Sequence, residues 1–162
     1  MVADLSFNKI TEVFAFGRNS MKSLQIARWA EVNDFGSLIV NDAKRPLPMA
    51  NSQGTGESLL SFNGFGADII RFAAGQGVNT HTHEGDHILF VLSGNGKVIY
   101  YGENYPLRPG IAYFVPGDVP HAVWAEDDNL VLIAVGNKHQ PVDSVKRMKP
   151  CFKSEASKSK DP

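Results

Sequence analysis

A chain of 162 residues with 43% apolar and 20% charged residues has the length of one domain and enough apolar material to bury a core. The net charge is only −1, no run approaches the ~20 apolar residues of a membrane span, and no basic stretch leads into an apolar one in MVADLSFNKITEV, so a cytoplasmic location is expected. The single cysteine, Cys151, has no intramolecular disulfide partner and no histidine beside it, which argues against both a disulfide scaffold and a thiol nucleophile.

Residues 1–20 are weakly patterned, with Val13, Phe14 and Phe16 as their packing candidates. SLQIARWAEV, 23–32, fits neither a period of two nor one of 3.6, and reads as a short strand or a covering turn. Residues 41–57 carry two prolines and two glycines among few apolar residues, so a long loop or an edge element is expected there. From 58 onward seven short apolar runs follow, SLLSF, ADIIRFA, HILFVL, KVIYYG, AYFV, HAVWA and NLVLIAVG, separated by turn vocabulary such as FNGFG, GQG, SGNG, RPG and PGDVP. Short strands with no helical pattern between them describe an all-β antiparallel sandwich or barrel. In the SGNG turn, positive φ is expected around Asn95, at Gly94 and Gly96. Residues 146–162 hold six Lys or Arg against two acids, leaving ten against fifteen in the rest of the chain. This basic tail, rich in Ser and Lys, reads as a disordered terminus, and no nucleic-acid partner is expected. The single domain thus divides into 1–57, N-terminal strands and loop packing on the barrel; 58–140, the barrel core; and 141–162, a C-terminal segment and polar tail.

Three of the five histidines fall within GQGVNTHTHEGDHILFVLSG, residues 75–94. Side chains at i and i+2 of a strand share a face, so His81 and His83 present two imidazoles to one point if the segment is extended. Glu84, Gly85 and Asp86 make a turn, after which His87 opens a new strand and can face the same point; His121, in VPGDVPHAVW, supplies a fourth imidazole. Four neutral imidazoles converging from neighbouring strands constitute a divalent metal site. His139, in GNKHQP, has no strand register and is read as an exposed loop residue outside the site.

These residues carry a resemblance to the cupin superfamily. Its first motif is a glycine, five residues, His-x-His, three or four residues, a glutamate, six residues and a glycine, and Gly75, His81, His83 and Gly94 stand at those spacings. Its second is a glycine, five residues, a proline, a nearby glycine and a histidine; Gly110, Pro116, Gly117 and His121 match with the glycine shifted by one residue. The resemblance covers about residues 65–136 and implies a double-stranded β-helix, or jelly-roll barrel, with a metal inside. Where the family commonly has glutamate this chain has His87, so the implied ligands are His81, His83, His87 and His121, with Asp86 or Glu84 as an alternative carboxylate ligand or as the acceptor of an imidazole N–H.

Four neutral ligands would leave the +2 charge of an Fe, Mn, Ni, Cu or Zn ion uncompensated, in a pocket walled by Leu89, Val91 and Val123. Such a site favours a small anionic, chelating ligand. The expected activity is dioxygenase-like oxidoreductase chemistry on an oxygen-rich substrate; a metal-dependent isomerase or lyase, a non-catalytic sugar- or acid-binding protein and a structural zinc site are the alternatives. No motif marks a general base, for which Tyr101, Tyr113 and Glu57 are candidates, with Arg71 as an anion anchor. Trp124 is one residue off the register of Val123 and is placed outside the barrel, where it and other outward apolar residues make a homodimer plausible, as the resemblance also implies.

Overall fold

The computed structural model describes residues 25–42 and 45–151. In chain order the strands are β1 (Ala30–Val32), β2 (Leu38–Val40), β3 (Leu47–Pro48), β4 (Thr55–Phe62), β5 (Phe65–Phe72), β6 (Gly77–Thr82), β7 (His87–Ser93), β8 (Gly96–Tyr100), β9 (Glu103–Leu107), β10 (Ala112–Val115), β11 (His121–Ala125), β12 (Leu130–Gly136) and β13 (Lys149–Pro150). No helix occurs among the described residues, hence none long and apolar enough to cross a membrane. β1 and β2 form a separate hairpin; the others make a six-stranded sheet, β10-β7-β12-β5-β4-β3, and a five-stranded sheet, β13-β6-β11-β8-β9. All pairings are antiparallel, and the two sheets form the jelly-roll barrel.

Alternation along the strands builds the core. In β12, Leu130, Leu132 and Ala134 are buried while Val131, Ile133 and Val135 are half-buried. Leu132 lies opposite Ile70 of β5 on one side and Val91 of β7 on the other, so three large apolar side chains stand abreast on the inner face. Val78, Val98 and Val123 face them from the second sheet within the same cluster. Truncating a side chain buried as fully as Leu132, 1% exposed, costs about 2–5 kcal/mol in comparable cores.

All seven sequence runs lie in strands, at β4, β5, β7, β8, β10, β11 and β12. Strands β3, β9 and β13 lacked an apolar signal for a physical reason: each stands at a sheet edge and each carries a proline, Pro48, Pro106 or Pro150. Proline has no N–H to give a further strand, so it is tolerated at an edge and protects it from pairing. The stretch 23–32 resolves as irregular chain from 25 to 29 followed by β1, and 41–57 resolves, where described, into edge strand β3 and the start of β4. After β12 the chain crosses back over the barrel, buries Val142 and Met148, and ends in β13 beside β6; Cys151 donates its N–H to the Thr80 carbonyl. The packing candidates Val13, Phe14 and Phe16, and the tail beyond 151, lie outside the described residues.

Gly94 has φ 76°, as the turn requires, whereas Gly96 begins β8 with no positive φ. A Cβ on Gly94 would stand 1.8 Å from the Asn129 carbonyl oxygen, and that backbone contact has no flexible partner to give way. Gly75 has a similar φ, 73°, with nothing within 4 Å of an added Cβ. Gly75→Ala therefore carries only the backbone strain, about 1 kcal/mol or slightly more, and Gly94→Ala adds a main-chain clash. Thermal unfolding should show Gly94→Ala melting well below Gly75→Ala, by ~5 °C or more. Equal melting temperatures would mean that the turn can move away from Asn129.

Candidate metal centre

Three strand ends deliver the histidines. His81 is the penultimate residue of β6, His83 follows that strand by one residue, and His121 opens β11 directly opposite His81 in the register. His81 and His121 are 4% and 1% exposed, and their ring centroids are 4.4 Å apart. One ligand nitrogen from each of His81, His83 and His121 lies within 4.8 Å of the others. His87, the first residue of β7, also reaches the cavity: its ring lies over that of His83 at 4.3 Å and 35°, and 5.9 Å from that of His121.

Main-chain carbonyls orient the three gathered rings. Nδ1 of His81 lies 2.9 Å from the Asn79 oxygen, that of His83 2.5 Å from Gly85 O, and that of His121 2.7 Å from Val119 O. A carbonyl oxygen can only accept, so each Nδ1 carries the hydrogen and each Nε2 is left with a lone pair. The Nε2 atoms of His83 and His121 then stand 3.1 Å apart with no hydrogen of their own between them. Two facing lone pairs at that distance repel unless a cation lies between them. Nitrogens bound at right angles to one ion at ~2.1 Å would be about 3.0 Å apart, so the donor set fits a divalent ion.

The imidazoles stay neutral. Burial, reinforced by the His121 ring, lowers His81 to about 3 and His83 to about 4. His87 is pushed well below the ordinary value by burial and then by His83, and His121 is lowered by burial despite its Val119 carbonyl. Neutral rings are the form that ligates.

The two histidine loops are tied to each other. His83 donates its N–H to Gly117 O at 2.7 Å, and Gly117 donates to Asp86 Oδ1 at 3.1 Å. A Cβ on Gly117 would meet Gly85 O at 2.0 Å and His83 Nδ1 at 2.3 Å, so this position has to be glycine for the His83 ring to keep its carbonyl acceptor. Asp86 thus holds the loop rather than an imidazole, and the N–H acceptors expected to be Asp86 or Glu84 are backbone carbonyls instead.

The histidines border a cavity of about 630 Å³. Its walls include Met49, Ile70, Phe72, Leu89, Val123 and Leu132; Val91 is core but does not reach it. Tyr101, Tyr113, Glu57 and Arg71 are all absent from its lining. Tyr101 is 72% exposed, Tyr113 packs on the core and gives its hydroxyl to Pro106 O, and Arg71 points to the outer side of β5, where it donates to Asn41 O. Trp124, half-buried, is likewise outside the cavity.

His139 corrects the sequence reading. It is not an exposed loop residue: its Nε2 lies 2.8 Å from Oδ2 of fully buried Asp68, and its ring lines the cavity. Arg147 reaches the same oxygen at 2.7 Å. Pattern alone hid this cluster, since Asp68 sits inside an otherwise apolar strand and its partners come from a loop and the segment that follows β12.

The Cupin_2 family, described as the cupin domain, matches residues 68–136. No curated protein matches the chain in sequence. Among solved structures it is similar to the polyketide cyclase RemF from Streptomyces resistomycificus, at 18% identity over 85% of this chain and 89% of that one, with a TM-score of 0.55. A predicted oxalate decarboxylase from Thermotoga maritima is similar at 22% identity over 57% of this chain and 90% of that one, TM-score 0.52. KdgF from Halomonas sp. gives 24% identity over 54% and 81%, with a TM-score of 0.51. These likenesses are of fold. The family match spans the strands from buried Asp68 to Gly136, including the histidine motifs, and the two-sheet barrel agrees with it: residues 68–136 match the cupin domain.

Proposed function

We propose that the chain holds one divalent ion, Fe, Mn, Ni, Cu or Zn, through His81, His83 and His121, with His87 as fourth ligand, and that it is a dioxygenase-like enzyme acting on a small, oxygen-rich anionic or chelating substrate. The observation that carries this reading is the pair of hydrogen-free Nε2 atoms, on His83 and His121, held 3.1 Å apart beside a cavity with an apolar wall. When bound, the ion supplies positive charge and Lewis acidity to substrate oxygens and, if redox-active, the electrons for dioxygen chemistry. The chain's own residues keep the imidazoles neutral, fix their direction through the Nδ1 hydrogen bonds, and exclude water with the walls formed by Ile70, Phe72, Leu89 and Leu132. Because no ligand carries a negative charge, anionic oxygens are preferred over neutral ones.

A metal-dependent isomerase or lyase is the second reading. It draws on the names of similar structures, a polyketide cyclase and a predicted oxalate decarboxylase, neither of which is an oxygenase by name. A protein that binds a small acid or sugar without turning it over is the third. We place the chain in the cytoplasm, without nucleic-acid or membrane partners.

A homodimer belongs to the same proposal. Phe114 lies opposite Ile88 across β10 and β7, Phe90 is two residues further along β7, and all three are exposed on the outer face of the six-stranded sheet. Sedimentation should show a dimer at micromolar concentration, and Phe90→Lys with Phe114→Lys should give a folded monomer. A wild-type monomer, or a variant that still dimerises, would move the interface elsewhere.

Elemental analysis after loading should find about one divalent ion per chain, and oxygen uptake with the Fe-loaded protein and catechol- or enediol-type chelators separates the dioxygenase reading from the other two. His87→Ala should weaken metal retention about tenfold. His87→Glu should retain the ion but bind anionic chelators less tightly, since a carboxylate cancels part of the charge. If wild type, alanine and glutamate variants agree in metal content and anion affinity, His87 is a neighbour of the ligand set and not a member.

A further inference from the structure

Asp68 is the most buried charged residue described, at 0% exposure, on the same face of β5 as the cavity-lining Ile70 and Phe72. An isolated carboxylate there would be costly, and Arg147 and His139 relieve it at Oδ2, while Oδ1 has no partner among the described residues. Both contacts of Arg147, to Asp68 Oδ2 and to the Gln140 carbonyl at 2.7 Å, are made by Nη1. That leaves the Nη2 and Nε donors of a guanidinium whose position is fixed from two sides.

Arg147 lines the same cavity as His81, His83, His87 and His121. It is carried there by the segment leading to β13, whose Pro150 pairs with His81. Lys138, Lys146 and Lys149 also line the cavity, against a single lining acid among the described residues, Glu84. Before any metal enters, the lining therefore carries surplus positive charge, and one Asp68 cannot offset it.

The geometry points to Arg147 as the anchor for a carboxylate of the ligand, so that the cavity takes a small two-headed acid: one end on Arg147, the other donating oxygens toward the histidines. The second half of this rests on the metal reading above; the anchor does not. Asp68 and Gln140 are positioning groups, holding the guanidinium so that its remaining edge meets a planar carboxylate with two parallel hydrogen bonds.

Calorimetric titration with acetate and with the series oxalate, malonate, succinate and glutarate tests this on the full chain, metal-free and loaded with Zn(II). In the metal-free protein, acetate should bind weakly, and Arg147→Gln should weaken it by about tenfold. In the Zn-loaded protein at least one diacid should bind about tenfold or more tightly than acetate, and Arg147→Gln should erase that preference while leaving zinc content unchanged. Arg147→Lys keeps a charge against Asp68, so it guards against simple unfolding; it should stay folded and still lose most of the preference, because an ammonium lacks the paired donors. If acetate binding survives Arg147→Gln, or if Arg147→Lys keeps the full diacid preference, Arg147 only neutralises Asp68. If wild type takes up no zinc but shows Arg147-dependent acetate binding, the metal reading fails and the anchor stands.

Discussion

Three hydrogen bonds that never touch a ligand decide what the barrel can do. The carbonyls of Asn79, Gly85 and Val119 each take an Nδ1 hydrogen, and so each turns an Nε2 lone pair toward a common region. A carbonyl acceptor at a fixed place on the main chain is a stiffer orienting device than a side-chain carboxylate with rotamers of its own. It also adds no charge. The imidazoles are thereby directed without being made more basic by an anion, and burial keeps them unprotonated.

The local backbone is shaped by that arrangement. Gly117 has no side chain because Gly85 O and His83 Nδ1 occupy the place a Cβ would take, and Asp86 closes the loop by accepting from Gly117 N–H. Behind the loops, the register that sets His121 opposite His81 breaks before Val123, which pairs with Val78. Such an irregularity re-aims side chains where a regular ladder would not. The cavity then joins two regions of opposite design: neutral nitrogens at the histidines, and, around Arg147, cations with one buried carboxylate among them.

Much of this was legible in the sequence because strand alternation and turn residues are local signals. The runs around Ile70, Leu89, Val123 and Leu132 announce strands with one buried face, and the i, i+2 spacing of His81 and His83 announces a shared side. What stayed hidden is non-local or runs against pattern. Pro106 and the polar start of ENYPL mask an edge strand. The His139–Asp68 contact joins residues 71 apart, and nothing in GNKHQP signals that its histidine turns inward. Nor does an arginine in a basic C-terminal stretch look different from its neighbours until Asp68 is seen beneath it. The three-histidine gathering was readable; whether His87 ligates or only lies over His83 depends on ring placement that spacing does not set.

The central claim is that His81, His83 and His121 offer bare Nε2 atoms to one cation, and long-range proton–nitrogen NMR of histidine-labelled protein reads that directly. In the metal-free protein at neutral pH all three rings should show the neutral tautomer with hydrogen on Nδ1, and added Zn(II) should shift their Nε2 resonances together with one stoichiometric end point. Rings found with hydrogen on Nε2, or Nε2 signals that do not move with zinc, would contradict it.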